Sequence, residues 1–411
     1  MTDPATRRDE TDDAATDGDG TRGGGVAAGE APVGERLTAV DVAVNLLWCV
    51  PGDVGGSEEY LVRQLLGLAA QPAEFVPTLY CLSSFAEAHP ELAGLYPMVT
   101  SPVSGESRAR RVATEHSWLA RRTRTADVVH HGGGTAPRFG GGPIVLTIHD
   151  LQYETYPEYV GATKLRYLRS VVPSSVARAS VVTVPTEYVR STVVDRFPID
   201  PERVVVVHHG IEPTIGASSP SPFELRRDYG LGGGRVIVLP AITHPHKGHR
   251  FLLEVMARHW DDPDLRLLFL GGAGAADADV RRAIVDLGLE KRVVQPGRVP
   301  GSHRDGLVAL ADALVFPSEY EGFGAPVVEA MALGTPVVCS DRAALPEVVG
   351  DAGLVLPLDD DAWAGALDHV EANGDSMRAA GRRRALDFTA SASGDGLARA
   401  YRLAATSAPR P

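Results

Sequence analysis

Short apolar runs alternate with longer amphipathic stretches along most of the chain. Runs such as Val181–Val184, Val236–Leu239 and Ala313–Phe316 end sharply at proline, glycine or polar residues. Runs of that length with such boundaries predict buried strands. In the stretches between them, apolar residues recur three and four positions apart, which predicts amphipathic helices. This alternation is typical of parallel α/β sheets.

The apolar pattern divides into two sets of predicted elements. The first set begins near Thr38 and ends near Ile211, and the second begins at Val236. Proline, serine and glycine accumulate between the two sets, which indicates a connection. A chain of 411 residues is long enough for two domains that each have a core. The predicted boundaries are an acidic tail (1–36), a first domain (37–212), a linker (213–234), a second domain (235–385) and a carboxyl-terminal helical segment (386–411).

Charge is concentrated at the amino-terminal end of the chain. The net charge is −13, and residues 1–35 carry nine acidic and three basic side chains. These residues lack an apolar segment of the kind found in signal peptides, so we expect a disordered tail. An acidic chain of this kind is not expected to bind nucleic acid. Three unpaired cysteines and the lack of an apolar run of about 18 residues favour a cytoplasmic location.

The region from Phe316 to Pro336 combines a strand, a glycine-rich loop, a short helix and a second strand. Pro326 suits the first position of the helix, and Gly334 suits the residue just past its end. The loop follows the carboxyl end of a predicted strand, where parallel α/β sheets bind ligands. Glu321 and Glu329 flank the loop with seven residues between them. Considered alone, such a pair is also compatible with a turn residue and a carboxylate that offsets a helix dipole.

The whole string resembles the retaining glycosyltransferases of family 4, which carry a Glu-x7-Glu motif and have the GT-B fold. The resemblance implies an α/β protein in which two Rossmann-like domains face each other across a cleft. It also implies that the last helix crosses back to the first domain. By the same resemblance, Glu321 lies beside the transferred sugar and Glu329 binds the ribose of the nucleotide.

Three other loops resemble the same family. Two glycines, Gly55 and Gly56, stand between the first strand and the first helix. The resemblance implies that they face the donor phosphates and the acceptor. His149, in a Thr-x-His-Asp string, would contact the donor sugar. Lys247, in a strand-to-helix turn, would bind the diphosphate, as a cation beside a helix N-terminus can.

One position departs from the family pattern. Many relatives have an arginine five residues before the lysine, where this chain has Ile242. The second phosphate contact must therefore come from another group, such as His246 or the backbone. The resemblance implies three catalytic residues: Glu321, Lys247 and His149. It implies six donor-binding residues: Glu329, Gly322, Phe323, Gly324, Gly272 and Arg298. The phosphate-loop residues are Gly55 and Gly56, and His130 and Gly133 are further candidates.

The resemblance implies transfer of a hexose from a nucleoside-diphosphate sugar to a hydroxyl of a glycan or lipid-linked acceptor, with a lean towards GDP-mannose. No cofactor or metal is expected. The two Asp-x-Asp strings lie in the predicted tail and beside a helix start, which are poor places for a metal diphosphate site. A sugar-nucleotide epimerase of related fold and a non-catalytic nucleotide-sugar-binding protein remain alternatives. A Rossmann dehydrogenase is disfavoured because its glycine fingerprint is incomplete.

The segment Arg108–Arg124 contains six arginines around Val112, Trp118 and Leu119. One interpretation is a solvated helix face. The other is contact with anionic lipid or a lipid-phosphate acceptor, which a basic helix with a tryptophan can provide. The second interpretation would place the protein peripherally at the inner face of a membrane.

Overall fold

Two parallel sheets form the framework of the computed structural model, which describes residues 39–407. The predicted acidic tail, residues 1–36, lies outside the described residues. The first sheet has seven strands in the order β3-β2-β1-β4-β5-β6-β7, and every neighbouring pair is parallel. Its strands are β1 (Val40–Leu46), β2 (Phe75–Cys81), β3 (Met98–Thr100), β4 (Val128–His131), β5 (Ile144–Thr147), β6 (Val181–Val184) and β7 (Val204–Val206).

Helices connect the strands of the first sheet. They are α1 (Gly56–Ala69), α2 (Ser83–Ala88), α3 (Pro90–Ala93), α4 (Arg108–Thr114), α5 (Ala120–Arg122), α6 (Gln152–Thr155), α7 (Ala162–Arg178) and α8 (Glu187–Arg196). A π-helical turn, Glu115–Leu119, joins α4 to α5. Short 3₁₀ turns cover Pro157–Tyr159 and Pro201–Arg203.

The second sheet has six strands in the order β10-β9-β8-β11-β12-β13, again all parallel. Its strands are β8 (Val236–Leu239), β9 (Arg266–Leu270), β10 (Val293–Gly297), β11 (Ala313–Phe316), β12 (Val337–Ser340) and β13 (Leu354–Leu356). The helices of this half are α9 (Pro222–Asp228), α10 (His249–His259), α11 (Asp277–Asp286), α12 (Gly301–Leu310), α13 (Ala325–Leu333), α14 (Leu345–Val349), α15 (Asp360–Trp363) and α16 (Ala366–Ala385). The last helix of the chain is α17 (Ala390–Ala405). Short 3₁₀ turns cover Pro245–Lys247, Gly350–Ala352 and Leu386–Phe388.

Strand order reverses once in each sheet, between β1 and β4 and between β8 and β11. Loops at such a switch point diverge to opposite faces and leave a crevice at the carboxyl ends of the strands. The Gly55–Gly56 loop follows β1, the Lys247 turn follows β8, and the Glu321 loop follows β11. The topology therefore brings most of the predicted site residues to the two crevices.

Helix α17 packs on the first half although it follows the second half in sequence. Leu397, Ala400 and Tyr401 are buried in the same core as β1 and α1. A Cβ on Gly67 of α1 would overlap the carbonyl group of Ala390, and one on Gly394 would overlap Gly67. The two helices can cross this closely because glycine has no side chain at the contact.

The structure refines two details of the sequence interpretation. Helix α13 begins at Ala325, so Pro326 occupies the second helical position, while Gly334 ends the helix with a φ of 78°. The segment predicted as a linker, 213–234, contains α9, whose Leu225 is buried in the core of the second half. Local proline and serine content suggested a loop, but Ser221 and Glu224 form a capping box that starts this helix.

Candidate active site

Lys247 and Glu321 form an ion pair in the crevice of the second half. Lys247 Nζ donates a hydrogen bond to Glu321 Oε1 at 2.6 Å. The two side chains are only 19% and 12% exposed, respectively. Gly248, with a φ of 71°, ends the turn that carries Lys247 and allows the chain to pass close to Pro317. The structure therefore brings together two residues that lie 74 positions apart in sequence.

The Glu321 loop runs directly into the N-terminus of α13. Gly324 precedes the helix with a φ of 91°, a conformation that glycine adopts without strain. The peptide dipoles of the helix place positive potential at this end, which favours an anion. Gly322 lies against the backbone of the first half, since a Cβ there would overlap the carbonyl of His149. In addition, Thr186 Oγ1 donates a hydrogen bond to the Gly322 carbonyl at 2.9 Å.

His149 faces this loop from the end of β5. Its Nε2 lies 2.8 Å from the carbonyl oxygen of Gly132, so Nε2 carries the hydrogen and donates it. Burial lowers the pKa of His149, while the Gly132 contact and the nearby Asp150 oppose that shift. The ring is consequently neutral near pH 7 and leaves Nδ1 as an acceptor. Such an atom is suited to a hydrogen bond from a sugar hydroxyl.

Glu329 lies within α13 and is 7% exposed. Its Oε1 is 2.9 Å from Arg63 Nη1, and its Oε2 is 3.8 Å from Arg304 Nη2. Burial raises the pKa of Glu329, whereas the two guanidinium groups favour its ionised form. The contact with Arg63 is an ion pair without hydrogen-bond geometry, and Glu329 Oε1 has no hydrogen-bond partner among the described residues. That oxygen is therefore a buried acceptor of the kind that a ribose hydroxyl could satisfy.

Arg63 was not anticipated from the sequence. It lies on α1, is 4% exposed, and contacts Glu329 in the other half of the molecule. Its Nε also donates to Glu212 Oε1 at 3.0 Å. An arginine this well buried needs compensating carboxylates, and Glu59, Glu212 and Glu329 provide them. A helical pattern alone does not show which side of α1 faces the second half.

Two further contacts cross between the halves beside this cluster. Arg304 Nη1 of α12 donates to Glu59 Oε1 of α1 at 3.3 Å. Arg298, a predicted donor-binding residue, donates from Nη2 to the carbonyl of Gly52 at 2.9 Å. The amino-terminal end of α1 is thereby held against the second half at the predicted nucleotide side of the cleft.

The remaining predicted glycines have contrasting environments. A Cβ added to Gly55, Gly56 or Gly272 would meet no atom within 4 Å, so their backbone faces open space. Gly55, with a φ of 60°, immediately precedes α1. Gly133 is different, because a Cβ there would clash with the ring of Trp48.

Phe323 and His130 are packed side chains. Phe323 is 3% exposed and stacks on His209, with ring centroids 4.4 Å apart. His209, which the sequence interpretation missed, also stacks on Tyr60 at 4.2 Å. His130 is fully buried and hydrogen-bonds to Tyr401 and Thr147 through its two ring nitrogens. The adjacent histidines at the end of β7 were the available sequence signal for His209.

The turn around Ile242 contains no second cation. Burial lowers the pKa of His246 to about 3, so its ring is neutral at physiological pH. His246 Nδ1 is buried without a hydrogen-bond partner among the described residues. This histidine could supply a hydrogen bond to a phosphate but no positive charge. Lys247 is thus the cationic side chain of this turn.

Acidic groups that resemble metal ligands lie elsewhere. Asp277, in one of the Asp-x-Asp strings, accepts hydrogen bonds from Thr243, Gln295 and Arg281. Among residues 39–407, the one group with metal-ligand spacing is His259, Asp360 and Asp361. It lies at the opposite end of α10 from Lys247, and Arg258 already pairs with Asp360.

Family models match both halves of the chain. Residues 54–215 match the model described as Glycosyltransferase Family 4, and residues 234–373 match the model described as Glycosyl transferases group 1. Each half of the chain is therefore similar to a family of glycosyltransferases. The two matches cover β2 to β7 of the first sheet and the whole second sheet, and the second match includes Lys247, Glu321 and Glu329.

Curated relatives of this chain carry several glycosyltransferase names. The chain is 32% identical over 237 residues to O-antigen chain mannosyltransferase B of Escherichia coli, covering 57% of this chain and 62% of that protein. It is 32% identical over 204 residues to MMP alpha-(1->4)-mannosyltransferase of Mycolicibacterium hassiacum, covering 48% and 47%. It is 27% identical over 362 residues to 2-deoxystreptamine N-acetyl-D-glucosaminyltransferase of Streptomyces fradiae, covering 80% and 84%. The matches to the two mannosyltransferases thus span about half to three-fifths of those proteins.

Solved structures share the fold of this protein. HepE of Anabaena, in complex with UDP and glucose, superposes with a TM-score of 0.69 at 19% identity, covering 88% of this chain and 98% of HepE. WaaG, a glycosyltransferase involved in lipopolysaccharide biosynthesis, superposes with a TM-score of 0.68 at 17% identity, covering 89% and 100%. These likenesses and the two parallel sheets confirm the predicted GT-B fold. Within residues 39–407, no helix has the length and apolar character needed to cross a membrane.

Proposed function

We propose that the protein transfers a hexose from a nucleoside-diphosphate sugar to an acceptor hydroxyl in the synthesis of a glycan, glycolipid or envelope polysaccharide. The observation that carries this proposal is the Lys247–Glu321 pair, which lies beside the N-terminus of α13 and across from His149. A cation and a helix N-terminus in one crevice suit a diphosphate. A carboxylate and a neutral histidine beside them suit the hydroxyls and the developing positive charge of a sugar.

The chemistry requires a group that stabilises the departing diphosphate. Negative charge on the diphosphate grows as the glycosidic bond breaks, so a fixed positive charge acts more strongly in the transition state than in the bound substrate. Without donor, Lys247 is neutralised by Glu321. We infer that the diphosphate takes over part of this contact, while Glu321 remains beside the sugar.

Glu329 suits the ribose of the donor. Arg63 and Arg304 favour its ionised form although it is buried, and its Oε1 lacks a hydrogen-bond partner among the described residues. A hydrogen bond to an ionised group contributes about 1.5–3 kcal/mol. Ribose hydroxyls can supply such a bond, which is consistent with the role implied by the family resemblance.

We propose GDP-mannose as the donor and retention as the stereochemical outcome. Two of the relatives described above are mannosyltransferases by name, which supports the mannosyl group. Retention is implied by the resemblance to the family 4 glycosyltransferases. The anomeric configuration of the product tests it. Lys247 and α13 supply the positive charge at the diphosphate, so we also propose metal-independent transfer.

The experiment is a screen of purified protein against GDP-mannose, UDP-glucose and UDP-N-acetylglucosamine, with released nucleoside diphosphate as the readout. Release from GDP-mannose that is lost in Lys247→Ala and kept in Lys291→Ala supports the proposal, because Lys291 is an exposed surface lysine. If nucleoside diphosphate is released from only one of the UDP sugars, that sugar nucleotide is the donor instead of GDP-mannose, and the proposed reaction class stands. No release from any donor, with or without a panel of hydroxyl acceptors, contradicts the proposal. Unchanged release in EDTA is expected.

A further inference from the structure

A cavity of about 360 Å³ lies in the first half of the molecule, beside His149. This volume is at the lower end of the range of about 300–1,000 Å³ that is usual for small-molecule sites. Aromatic and apolar side chains form part of its wall, including Trp48, Tyr153 and Leu168. The cavity therefore has room for a group the size of a monosaccharide, next to the residue that is expected to contact the donor sugar.

Three cationic side chains line this cavity: Arg108, Arg111 and Lys164. Among the described residues, none of them makes an ion pair with a carboxylate. Arg111 Nη1 donates to the Trp48 carbonyl at 2.8 Å, but Arg111 Nε is buried and has no hydrogen-bond partner within residues 39–407. The Arg108 guanidinium lies 5.2 Å from the centre of the Tyr167 ring. The two arginines are thus held by protein contacts, and no carboxylate among the described residues is paired with any of the three cations.

The carboxylates of the cavity wall offset these three charges only in part. They are Glu115 and Asp150. Burial raises the pKa of Glu115 to about 7, so this group is partly protonated at neutral pH. Its Oε1 also accepts a hydrogen bond from Asn45 Nδ2 at 3.3 Å. Asp150 Oδ1 accepts the backbone N–H of Gln152 at 2.9 Å. The cavity consequently keeps a net positive charge.

The arginines of the basic segment separate into two groups. Arg108 and Arg111 line the cavity, whereas the other four arginines lie outside its wall and are exposed: Arg110, Arg121, Arg122 and Arg124. A solvated helix face alone does not account for the first group, because Arg111 is partly buried with an unsatisfied donor. An anion in the cavity would satisfy that donor and form charge-assisted hydrogen bonds.

We propose that this cavity binds the acceptor through an anionic group, a phosphate or a carboxylate, that contacts Arg108, Arg111 and Lys164. The proposal rests on the proposed function only in naming the occupant as the acceptor. The acceptor is then a hydroxyl compound that carries a negative charge about one sugar away from the reacting hydroxyl. Trp48 and Tyr153 would pack against its apolar face, and His149 would stand between it and the donor sugar.

The test uses three probes of similar size: glucose 6-phosphate, glucuronate and glucose. Their binding to the full chain is measured by calorimetry without nucleotide. We expect at least one anionic probe to bind about ten- to a hundred-fold more tightly than glucose, the scale of one charge-assisted hydrogen bond, and to weaken as salt is added. Preference for glucose 6-phosphate identifies a phosphate, and preference for glucuronate identifies a carboxylate. Equal binding of all three probes, or no binding by any, overturns the proposal.

Matched variants show whether these cations are responsible. Arg111→Gln and Lys164→Gln should each remove most of the preference for the anionic probe. Arg110→Gln and Arg121→Gln change exposed arginines of the same segment and should leave it intact. Lys164 is itself exposed, so its variant is a safe test of the proposal where Arg111→Gln fails to fold. An equal loss in all four variants would indicate general attraction by the surface and would overturn the proposal.

The result of the probe-binding test can be distinguished from the result of the donor-cleavage test of the proposed function. Probe binding requires neither a nucleotide nor turnover, and nucleotide-sugar cleavage by the parent requires no anionic acceptor. A parent protein that cleaves a donor but shows no anion preference overturns this inference alone. A parent protein that prefers the anionic probe but never cleaves a donor supports an anion site and contradicts the transferase.

Discussion

The two sides of the cleft differ in how their charges are balanced. On the side assigned to the donor, Lys247 pairs with Glu321, and Arg63 pairs with Glu329. In the cavity on the other side, Arg108 and Arg111 have no carboxylate partner among the described residues. The protein thus neutralises the charges where the donor is expected and leaves a positive charge where the acceptor is expected.

Burial explains part of this difference. Arg63 and Glu329 are 4% and 7% exposed, and charges so far from water are costly unless they are paired. Arg108 and Lys164 are exposed at the mouth of the cavity, where water stabilises an unpaired charge. A donor must therefore compete with existing ion pairs, whereas an anionic acceptor meets cations that are not paired with a carboxylate among the described residues.

The largest expected effect concerns Arg63. Arg63→Met would leave Glu329 buried with Arg304 as its one close cation, and breaking a buried ion pair of this kind costs about 3–5 kcal/mol of stability. Urea unfolding of the parent and the variant would measure the loss. The control is Arg282→Met, which removes an exposed arginine whose ion-pair partner within residues 39–407 is Asp279 on its own helix. Equal stability of Arg63→Met and the parent would show that the pairing on the donor side is not needed for the fold.

Lys247→Ala should depress turnover about a hundred- to a thousand-fold, the usual effect of removing one preorganised electrostatic contact. The loss should appear in turnover more than in donor affinity, because the charge on the diphosphate grows in the transition state. Kinetics at saturating donor would measure it, with Lys291→Ala as the control. Turnover within a few-fold of the parent would make Lys247 dispensable for the leaving group.

Much of the fold was predictable because each strand is a short apolar run with sharp ends. The proximity of Lys247 and Glu321 could also be predicted. Their loops follow β8 and β11, and these two strands are neighbours in the second sheet. The partners of Glu329 were not predictable. Arg63 reaches Glu329 only because of how α1 lies against the second half, and that packing leaves no periodic signal in the sequence. The same limit applies to the basic segment, where periodicity could not separate Arg111 from Arg121.

A pH-dependent effect is expected from Glu115 in the acceptor cavity. Its folded-state pKa of about 7 is raised above its usual 4.5 by burial, against the opposing effect of Asn45, Arg111 and Arg108. The folded protein therefore binds more protons between those two values, and its stability falls as pH rises through that window. Glu115→Gln should remove this fall and be more stable than the parent by about 3 kcal/mol at pH 8, with no difference below pH 4.5. Urea unfolding at both pH values measures it, and an equal difference at both would contradict the assigned cause.

Glu329→Gln tests the donor side with a smaller change. The variant keeps the size and the acceptor oxygen of the side chain but loses its charge. Because a hydrogen bond to a charged group contributes about 1.5–3 kcal/mol, nucleotide affinity should fall about ten- to a hundred-fold. Calorimetry with GDP would measure it, and Glu290→Gln, at an exposed position, is the control. Unchanged affinity in Glu329→Gln would remove this residue from the nucleotide site.

The most direct test of the contrast between the two sides is a crystal structure of the protein with GDP. We expect the diphosphate to lie within hydrogen-bond distance of Lys247 Nζ and the N-terminus of α13, with the ribose against Glu329. The cavity beside Arg108 and Arg111 should hold no part of the nucleotide. A diphosphate bound to those two arginines, with the Lys247–Glu321 pair left untouched, would contradict the assignment of the two sides.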